Sequence, residues 1–249
     1  MISRRQLISM GSVLCVYALL GEARASAASV RGSSAALWID RQKELAVGLT
    51  TGSVSQLEWY AAVNALACEI DLEDIARLLR SAPSRPPREP RSNEPRRRFI
   101  DIKSGDGISR LPYGVAVFDF AADSVIAPHA HRNMASAHMV MDGRIRIRTY
   151  DRIEDEDGSL VVRPTSDVVA EAGHAAAMTS ARDNVHWFES RTSRAMTVDV
   201  VVIDLDESSP STYEIEPIDP AAAQMLPDGA MRVPLISFEE SLQRYGARL

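Results

Sequence analysis

All five histidines of the chain lie in one stretch, between positions 129 and 186. His129 and His131 are separated by one residue, and a β-strand directs the side chains of residues i and i+2 to the same face. Two imidazoles on one face, completed by a third histidine from a neighbouring strand, can hold a metal with open coordination positions. Such a set of nitrogens suits Zn, Fe, Ni or Cu. The His-x-His spacing alone is equally typical of surface or capping histidines, so its structural context decides its meaning.

The sequence around these histidines predicts short strands separated by turns. Apolar runs of strand length recur along residues 114–205, and the dipeptides Asp142-Gly143 and Asp157-Gly158 are typical of hairpin turns. Evenly spaced strands without intervening helices indicate a β-sandwich or a barrel. We therefore predict a mainly β fold for this part of the chain.

Three segments of this region resemble the motifs of a known family. Residues 128–131 (Pro-His-Ala-His) and 140–143 (Val-Met-Asp-Gly) resemble the first motif of the cupin superfamily, which combines His-x-His, a glutamate and a glycine. Residues 184–188 (Asn-Val-His-Trp-Phe) resemble the end of its second motif. The resemblance implies a cupin double-sheet, or jelly-roll, barrel with the metal inside it. The metal ligands that it implies are His129, His131 and His186.

The chain departs from the cupin pattern at the position of the glutamate. Ser136 stands there, and a hydroxyl cannot replace a carboxylate ligand. His138 lies two residues further on, on the same strand face, where it is either a replacement ligand or a catalytic acid/base group beside the metal. The second motif also lacks its proline and one of its glycines.

A three-histidine site without a glutamate resembles the thiol dioxygenase branch of the cupins. Neutral ligands leave the full charge of +2 on the metal, which favours anionic or redox-active partners. The resemblance implies Fe(II) as the favoured cofactor, with Zn, Ni, Cu or Mn as alternatives, and other three-histidine oxygenases fit the pattern as well. We predict a metal-dependent, dioxygenase-type oxidoreductase that acts on a small molecule. The alternatives are a non-catalytic cupin that binds a ligand or metal for sensing or storage, and a metal-dependent isomerase, lyase or hydrolase.

Three arginines and one aspartate of this region have two interpretations each. Arg144, Arg146 and Arg148 alternate along one predicted strand. They form either a solvated outer face, ion-paired with the acidic turn at residues 154–157, or a pocket for a carboxylate substrate. We favour the outer face, because exposed alternating strands are common. Asp199, in an apolar run, is either a partner of a metal-binding histidine or an outward-facing side chain.

The first 25 residues predict an export signal. Arg4-Arg5 precedes an apolar run that is too short to span a bilayer, and Ala23 and Ala25 fit the small-residue rule of signal peptidase. The arginine pair resembles a twin-arginine translocation signal, and an ordinary Sec signal is the alternative. We expect an exported protein, periplasmic or secreted, with no stable membrane anchor after cleavage.

The composition limits the partners of the chain. Its 249 residues are 45% hydrophobic and 25% charged, as in globular proteins, and the net charge of −6 disfavours a non-specific nucleic-acid binder. We expect a small-molecule substrate and no nucleic acid. A homodimer is expected by analogy with other cupins.

We divide the chain into five segments by these patterns. They are the signal peptide (1–25), a helical extension (26–81), a Pro/Arg-rich linker (82–98), the cupin β-barrel (99–206) and a C-terminal tail with a short helix (207–249). Capping boxes at Ser55 and Ser237 begin two of the helices. Cys68 falls in an apolar helical pattern, which predicts a buried and unreactive thiol.

Overall fold

The computed structural model describes residues 34–86, 90, 92–102 and 111–246. The export signal lies outside these residues and stays a prediction. Among the helices of the described part, none is long and apolar enough to cross a membrane.

Twelve antiparallel strands in the described residues form two sheets. They are β1 (Arg96–Phe99), β2 (Gly114–Ala121), β3 (Val125–Arg132), β4 (Met134–Asp142), β5 (Ile145–Glu156), β6 (Ser159–Ala170), β7 (Ala175–Met178), β8 (Val185–Ser190), β9 (Arg194–Ile203), β10 (Glu214–Pro217), β11 (Gln224–Met225) and β12 (Met231–Pro234). The central eight strands pair in the orders β2-β9-β4-β7 and β3-β8-β5-β6. These two orders are those of a jelly roll, because the chain repeatedly crosses from one sheet to the other.

The remaining strands are added at the edges of the two sheets. β1 extends the first to five strands, and β10, β12 and β11 extend the second to seven. The predicted fold class is confirmed: the chain is mainly β, a double-sheet barrel of the cupin type with an N-terminal helical extension and a C-terminal tail that ends in a short helix.

Three helices precede the barrel, and one follows it. They are α1 (Ser34–Thr50), α2 (Gln56–Ala67), α3 (Leu72–Ser81) and α4 (Phe238–Ser241), the last continued by a π-helical turn (Leu242–Gly246). The capping boxes at Ser55 and Ser237 are present as predicted. Trp38, Trp59 and Ile75 of the first three helices share one apolar core with the five-stranded sheet. As a result, every residue of β4 except the last is buried, and this sheet is covered on both faces.

The two predicted hairpin turns have different outcomes. Asp157-Gly158 joins β5 to β6 in a two-residue hairpin, as predicted. Asp142-Gly143 instead carries the chain from β4 in one sheet to β5 in the other. Gly143 has φ of 73°, and a Cβ there would lie 2.4 Å from the carbonyl oxygen of Arg194. A positive φ is needed in both kinds of turn, so the dipeptide does not distinguish them.

Two further details correct the predicted pattern. Cys68 is exposed and forms the C-cap of α2, because the buried side of this helix is the one that carries Trp59, Val63 and Leu66. The last residues of the predicted linker belong to β1, an edge strand that pairs with β2 directly after Pro95. An edge strand tolerates a neighbouring proline, because one side of its backbone needs no partner.

Candidate metal centre

The structure brings together His129, His131 and His186 on the inner face of the seven-stranded sheet. One ring nitrogen from each lies within 4.8 Å of the others. The Nε2 atoms of His129 and His131 are 3.1 Å apart, and the ring centroids of His129 and His186 are 4.2 Å apart. Three imidazoles at this separation can share one cation.

The strand register explains why these three side chains meet. His129 of β3 lies directly opposite His186 of β8, and a register shift between Ile126 and His129 interrupts the ladder just before this pair. Pro128 falls within the shift, which is a position where a strand accepts proline. Opposed residues project to the same face of a sheet, and His131 follows two residues after His129. The side chain of Asn184, the residue before β8, donates to the carbonyl oxygen of His131 at 2.9 Å and thereby links the start of β8 to β3.

Burial keeps the imidazoles of this cluster uncharged. It lowers the pKa of His129 to about 4, against a hydrogen bond to the carbonyl of Ala127 that acts in the opposite direction. The pKa values of His131 and His186 are well below the usual value, first through burial and then through the neighbouring histidines. The neutral imidazole is the form that binds a metal.

The donor set fits a divalent transition metal. Nδ1 of His129 donates to the carbonyl oxygen of Ala127 at 2.7 Å, so its Nε2 carries the lone pair and points towards His131. Among the described residues, the buried Nδ1 atoms of His131 and His186 have no hydrogen-bond partner. The Nε2 atoms of His129 and His131 face each other, and buried nitrogens that lack other partners are satisfied when they share a cation. All-nitrogen coordination suits Zn, Cu, Fe or Ni and leaves the identity of the metal open.

A second polar group faces this cluster from the five-stranded sheet. His138 of β4 lies opposite Asp199 of β9 in the register, with its Nε2 3.7 Å from Oδ1 of the carboxylate. Nδ1 of His138 is 3.1 Å from Oγ1 of Thr197, and Ser136 donates to Oδ1 of Asp199 at 2.7 Å. Burial lowers the pKa of His138, although Asp199 acts in the opposite direction. Asp199 therefore faces inward, and its contact is with the histidine outside the three-histidine cluster.

Both polar groups line one large cavity. Its volume is about 1250 Å³, somewhat more than a site for a small molecule usually has. Phe118, Ile126 and Val201 contribute apolar walls, and Arg97 lies at the edge of the cavity with its guanidinium 5.0 Å from the centre of the Phe99 ring. The cavity therefore combines a polar floor with apolar sides.

The fifth histidine and the three arginines do not line the cavity. His174 is exposed in the turn before β7. Arg146 and Arg148 of β5 and Arg144 directly before it project outward, as we favoured, but their ion-pair partners differ from the acidic turn that we expected. Arg144 pairs with Glu171, Arg146 with Asp167, and Arg148 with Glu189. In the sheet register Asp167 lies opposite Arg148 and Glu189 lies opposite Arg146, so the pairs of Arg146 and Arg148 are diagonal contacts between neighbouring strands, which the sequence does not show.

One set of supporting residues escaped the sequence analysis. Three polar side chains of α2, spaced i, i+4 and i+8, bind β7 and the segment that leads from it into β8. Gln56 and Asn64 accept from the backbone N–H groups of Ala181 and Ala177 at 3.0 and 3.2 Å. Tyr60 donates to Oδ2 of Asp183 at 2.5 Å. The spacing itself was the available signal, because it marks one face of a helix.

Comparisons with known proteins give limited guidance. The scan against family models and the search of curated proteins found no match. Among solved structures, an oxalate oxidase is 20% identical with a TM-score of 0.33, covering 44% of this chain and 51% of its own. A cupin-superfamily sugar phosphate isomerase from Silicibacter pomeroyi is 16% identical with a TM-score of 0.38, covering 66% and 92%. KdgF from Halomonas sp. is 11% identical with a TM-score of 0.34, covering 47% and 84%.

The chain thus spans about half the length of the oxalate oxidase structure. The structural neighbours are cupin-superfamily proteins, but their scores are too low to support an argument about activity. The strand order and the histidine cluster are the evidence from which a function is argued.

Proposed function

We propose that this chain is an exported metalloprotein that catalyses a metal-dependent, dioxygenase-type oxidation of a small molecule. The observation that carries the proposal is the convergence of His129, His131 and His186 as three neutral nitrogen donors at the floor of a large cavity. Three protein ligands leave coordination positions open, as catalytic sites do and closed structural sites do not.

Each residue has a defined role in this proposal. His129, His131 and His186 hold the metal, for which Fe(II) is favoured. A bound metal of this kind supplies Lewis-acid polarisation and, where it is redox-active, electrons for dioxygen. Nε2 of His138 holds or accepts a proton of the substrate, because its Nδ1 already contacts Thr197. The apolar walls exclude water from the reacting groups.

The experiment that tests the metal site is elemental analysis of the purified protein. The wild type is compared with a His129→Ala/His131→Ala double variant and with His174→Ala as a matched control, since His174 is exposed and outside the cluster. We expect close to one metal ion per chain in the wild type and the control, and none in the double variant. Equal metal content in all three proteins would refute the assignment.

A second candidate function is a metal-dependent isomerase or lyase. The observation that favours it is the pairing of His138 with Asp199, because a histidine and a carboxylate 3.7 Å apart can move a proton without an oxidant. Oxygen consumption coupled to turnover supports the dioxygenase, whereas turnover under strict anaerobiosis supports the isomerase or lyase. Metal binding without any turnover supports a sensing or storage protein.

A further inference from the structure

The carboxylate of Asp199 is buried and lacks a cationic partner. The residue is 5% exposed, and among the described residues no arginine or lysine lies within ion-pair distance of it. Its one hydrogen bond in that part of the chain comes from the hydroxyl of Ser136. Buried charges are normally paired or coordinate a metal, because one neutral donor does not compensate the loss of solvation.

The position of Asp199 connects it to the histidine cluster. It lines the same cavity as His129, His131 and His186, and it lies on the sheet that faces them. Ser136, which contacts Asp199, occupies the place of the glutamate in the cupin pattern.

We infer that Asp199 is the charge-compensating carboxylate of the three-histidine centre, supplied from β9 in place of the glutamate that Ser136 replaces. This inference rests on the proposed function, because it assumes that the three histidines hold a cation. Its oxygens are not part of the group of nitrogens within 4.8 Å of one another, so it acts across the cavity and not as a fourth member of that cluster.

The inference narrows the substrate class. Three neutral imidazoles alone leave a charge of +2 in the cavity, which favours two anionic partners. With Asp199 ionised, the net charge of metal and carboxylate is +1. The site should therefore accept a small molecule that offers one anionic donor atom and should disfavour a second anion.

The test uses Co(II) as the metal and azide as the anion, both followed by the visible absorption of the Co(II)-loaded protein. Asp199→Asn keeps the shape of the side chain and a carbonyl oxygen for Ser136. We expect it to weaken Co(II) binding by about 10- to 100-fold, as loss of a group outside the ligand set does. Azide should bind the loaded variant more tightly, by about tenfold, because one negative charge is gone.

Stability of the metal-free protein separates this role from a structural one. If the role of Asp199 were to stabilise the folded state, its replacement would lower the melting temperature. Because its charge is unpaired, we expect the melting temperature of metal-free Asp199→Asn to equal or exceed that of the wild type. Asp219→Asn is the control, since Asp219 is also buried but contacts Arg244 and Tyr245 and does not line the cavity. Its Co(II) and azide affinities should stay at wild-type values.

A charge swap provides a second test. The Ser136→Glu/Asp199→Asn double variant places the carboxylate on β4 at position 136, whose side chain contacts that of position 199. We expect Co(II) affinity to recover by about tenfold over that of Asp199→Asn. Unchanged Co(II) and azide affinities in Asp199→Asn would overturn the inference while leaving the proposed function intact. Failure of the wild type to bind Co(II) would overturn both.

Discussion

The hydroxyl of Tyr60 should contribute to the stability of the barrel, although it belongs to the helical extension. It donates to the carboxylate of Asp183, which is 6% exposed and lies three residues before His186. Thr165 donates to the other oxygen of this carboxylate, and the N–H of Asp183 donates to Asp151 at 2.8 Å. Replacement of Tyr60 by phenylalanine removes one bond from this network and leaves one buried oxygen of Asp183 without a hydroxyl donor.

The magnitude follows from the kind of bond that is lost. A hydrogen bond to a charged group contributes about 1.5–3 kcal/mol, and the partial exposure of Tyr60 favours the lower part of that range, about 1.5–2 kcal/mol. In a domain of about 150–250 residues each kcal/mol lowers the melting temperature by about 2–4 °C. We therefore expect Tyr60→Phe to melt about 3–8 °C below the wild type.

The assay is thermal unfolding of the metal-free protein followed by circular dichroism, with urea unfolding as a second measure. Tyr213→Phe is the matched control, because Tyr213 is 47% exposed and no hydrogen bond of its hydroxyl is present among the described residues. The control should melt within about 1 °C of the wild type, since surface changes of this kind cost little. A Tyr60→Phe protein that melts with the control would refute the reasoning.

The same pair predicts a dependence on alkaline pH. Burial, and then Asp183, raise the pKa of Tyr60 to about 12. A raised pKa means that the folded state favours the protonated hydroxyl, so its contribution is complete below the unfolded pKa of about 10 and is lost as the pH rises through 12. The difference in unfolding free energy between wild type and Tyr60→Phe should be constant from pH 6 to 9 and shrink above pH 10. A difference that grows in that window would contradict the assignment.

Two further predictions concern the turns and the outer face. Gly143→Ala should be strongly destabilising, by about 2–4 kcal/mol in urea unfolding, because its φ is 73° and the added Cβ would lie 2.4 Å from the Arg194 carbonyl oxygen. Gly158→Ala has a similar φ but open space, so about 1 kcal/mol is expected, and equal losses at the two glycines would count against the crowding argument. Arg146→Ala removes an ion pair with Asp167 on an exposed face and should cost less than about 1 kcal/mol, decreasing further in 1 M salt. A larger loss that persists in high salt would show that this pair is not merely a surface contact.

Much of the barrel could be predicted from the sequence, because the relevant signals are local. Strand alternation, the Asp157-Gly158 hairpin and the capping box at Ser55 depend on residues a few positions apart. The His-x-His pair belongs to this class, since the geometry of one strand places His129 and His131 on one face. Their convergence with His186 followed from the family resemblance, and the register of β3 with β8 supplies its structural reason.

The parts that could not be predicted depend on contacts distant in sequence. Whether Asp199 points into the barrel depends on the register of β9 against β4, and a shift of one residue would turn it outward. Asp142-Gly143 is compatible with a turn within one sheet or between two, because a positive φ is required in both cases. The exposure of Cys68 likewise depends on which side of α2 meets the sheet.

The two sheets divide the chemistry of the cavity between them. The seven-stranded sheet carries the nitrogen donors, and the five-stranded sheet carries Ser136, His138 and Asp199. The helices and the apolar core cover the outer face of the five-stranded sheet, so its inward side chains stand on a rigid support. Residues opposed on neighbouring strands of a sheet share a face. A carboxylate on β9 can therefore face the same cavity as a carboxylate on β4 would. The absence of a carboxylate at Ser136 on β4 is therefore no argument against a metal site here, provided that the neighbouring strand supplies the charge.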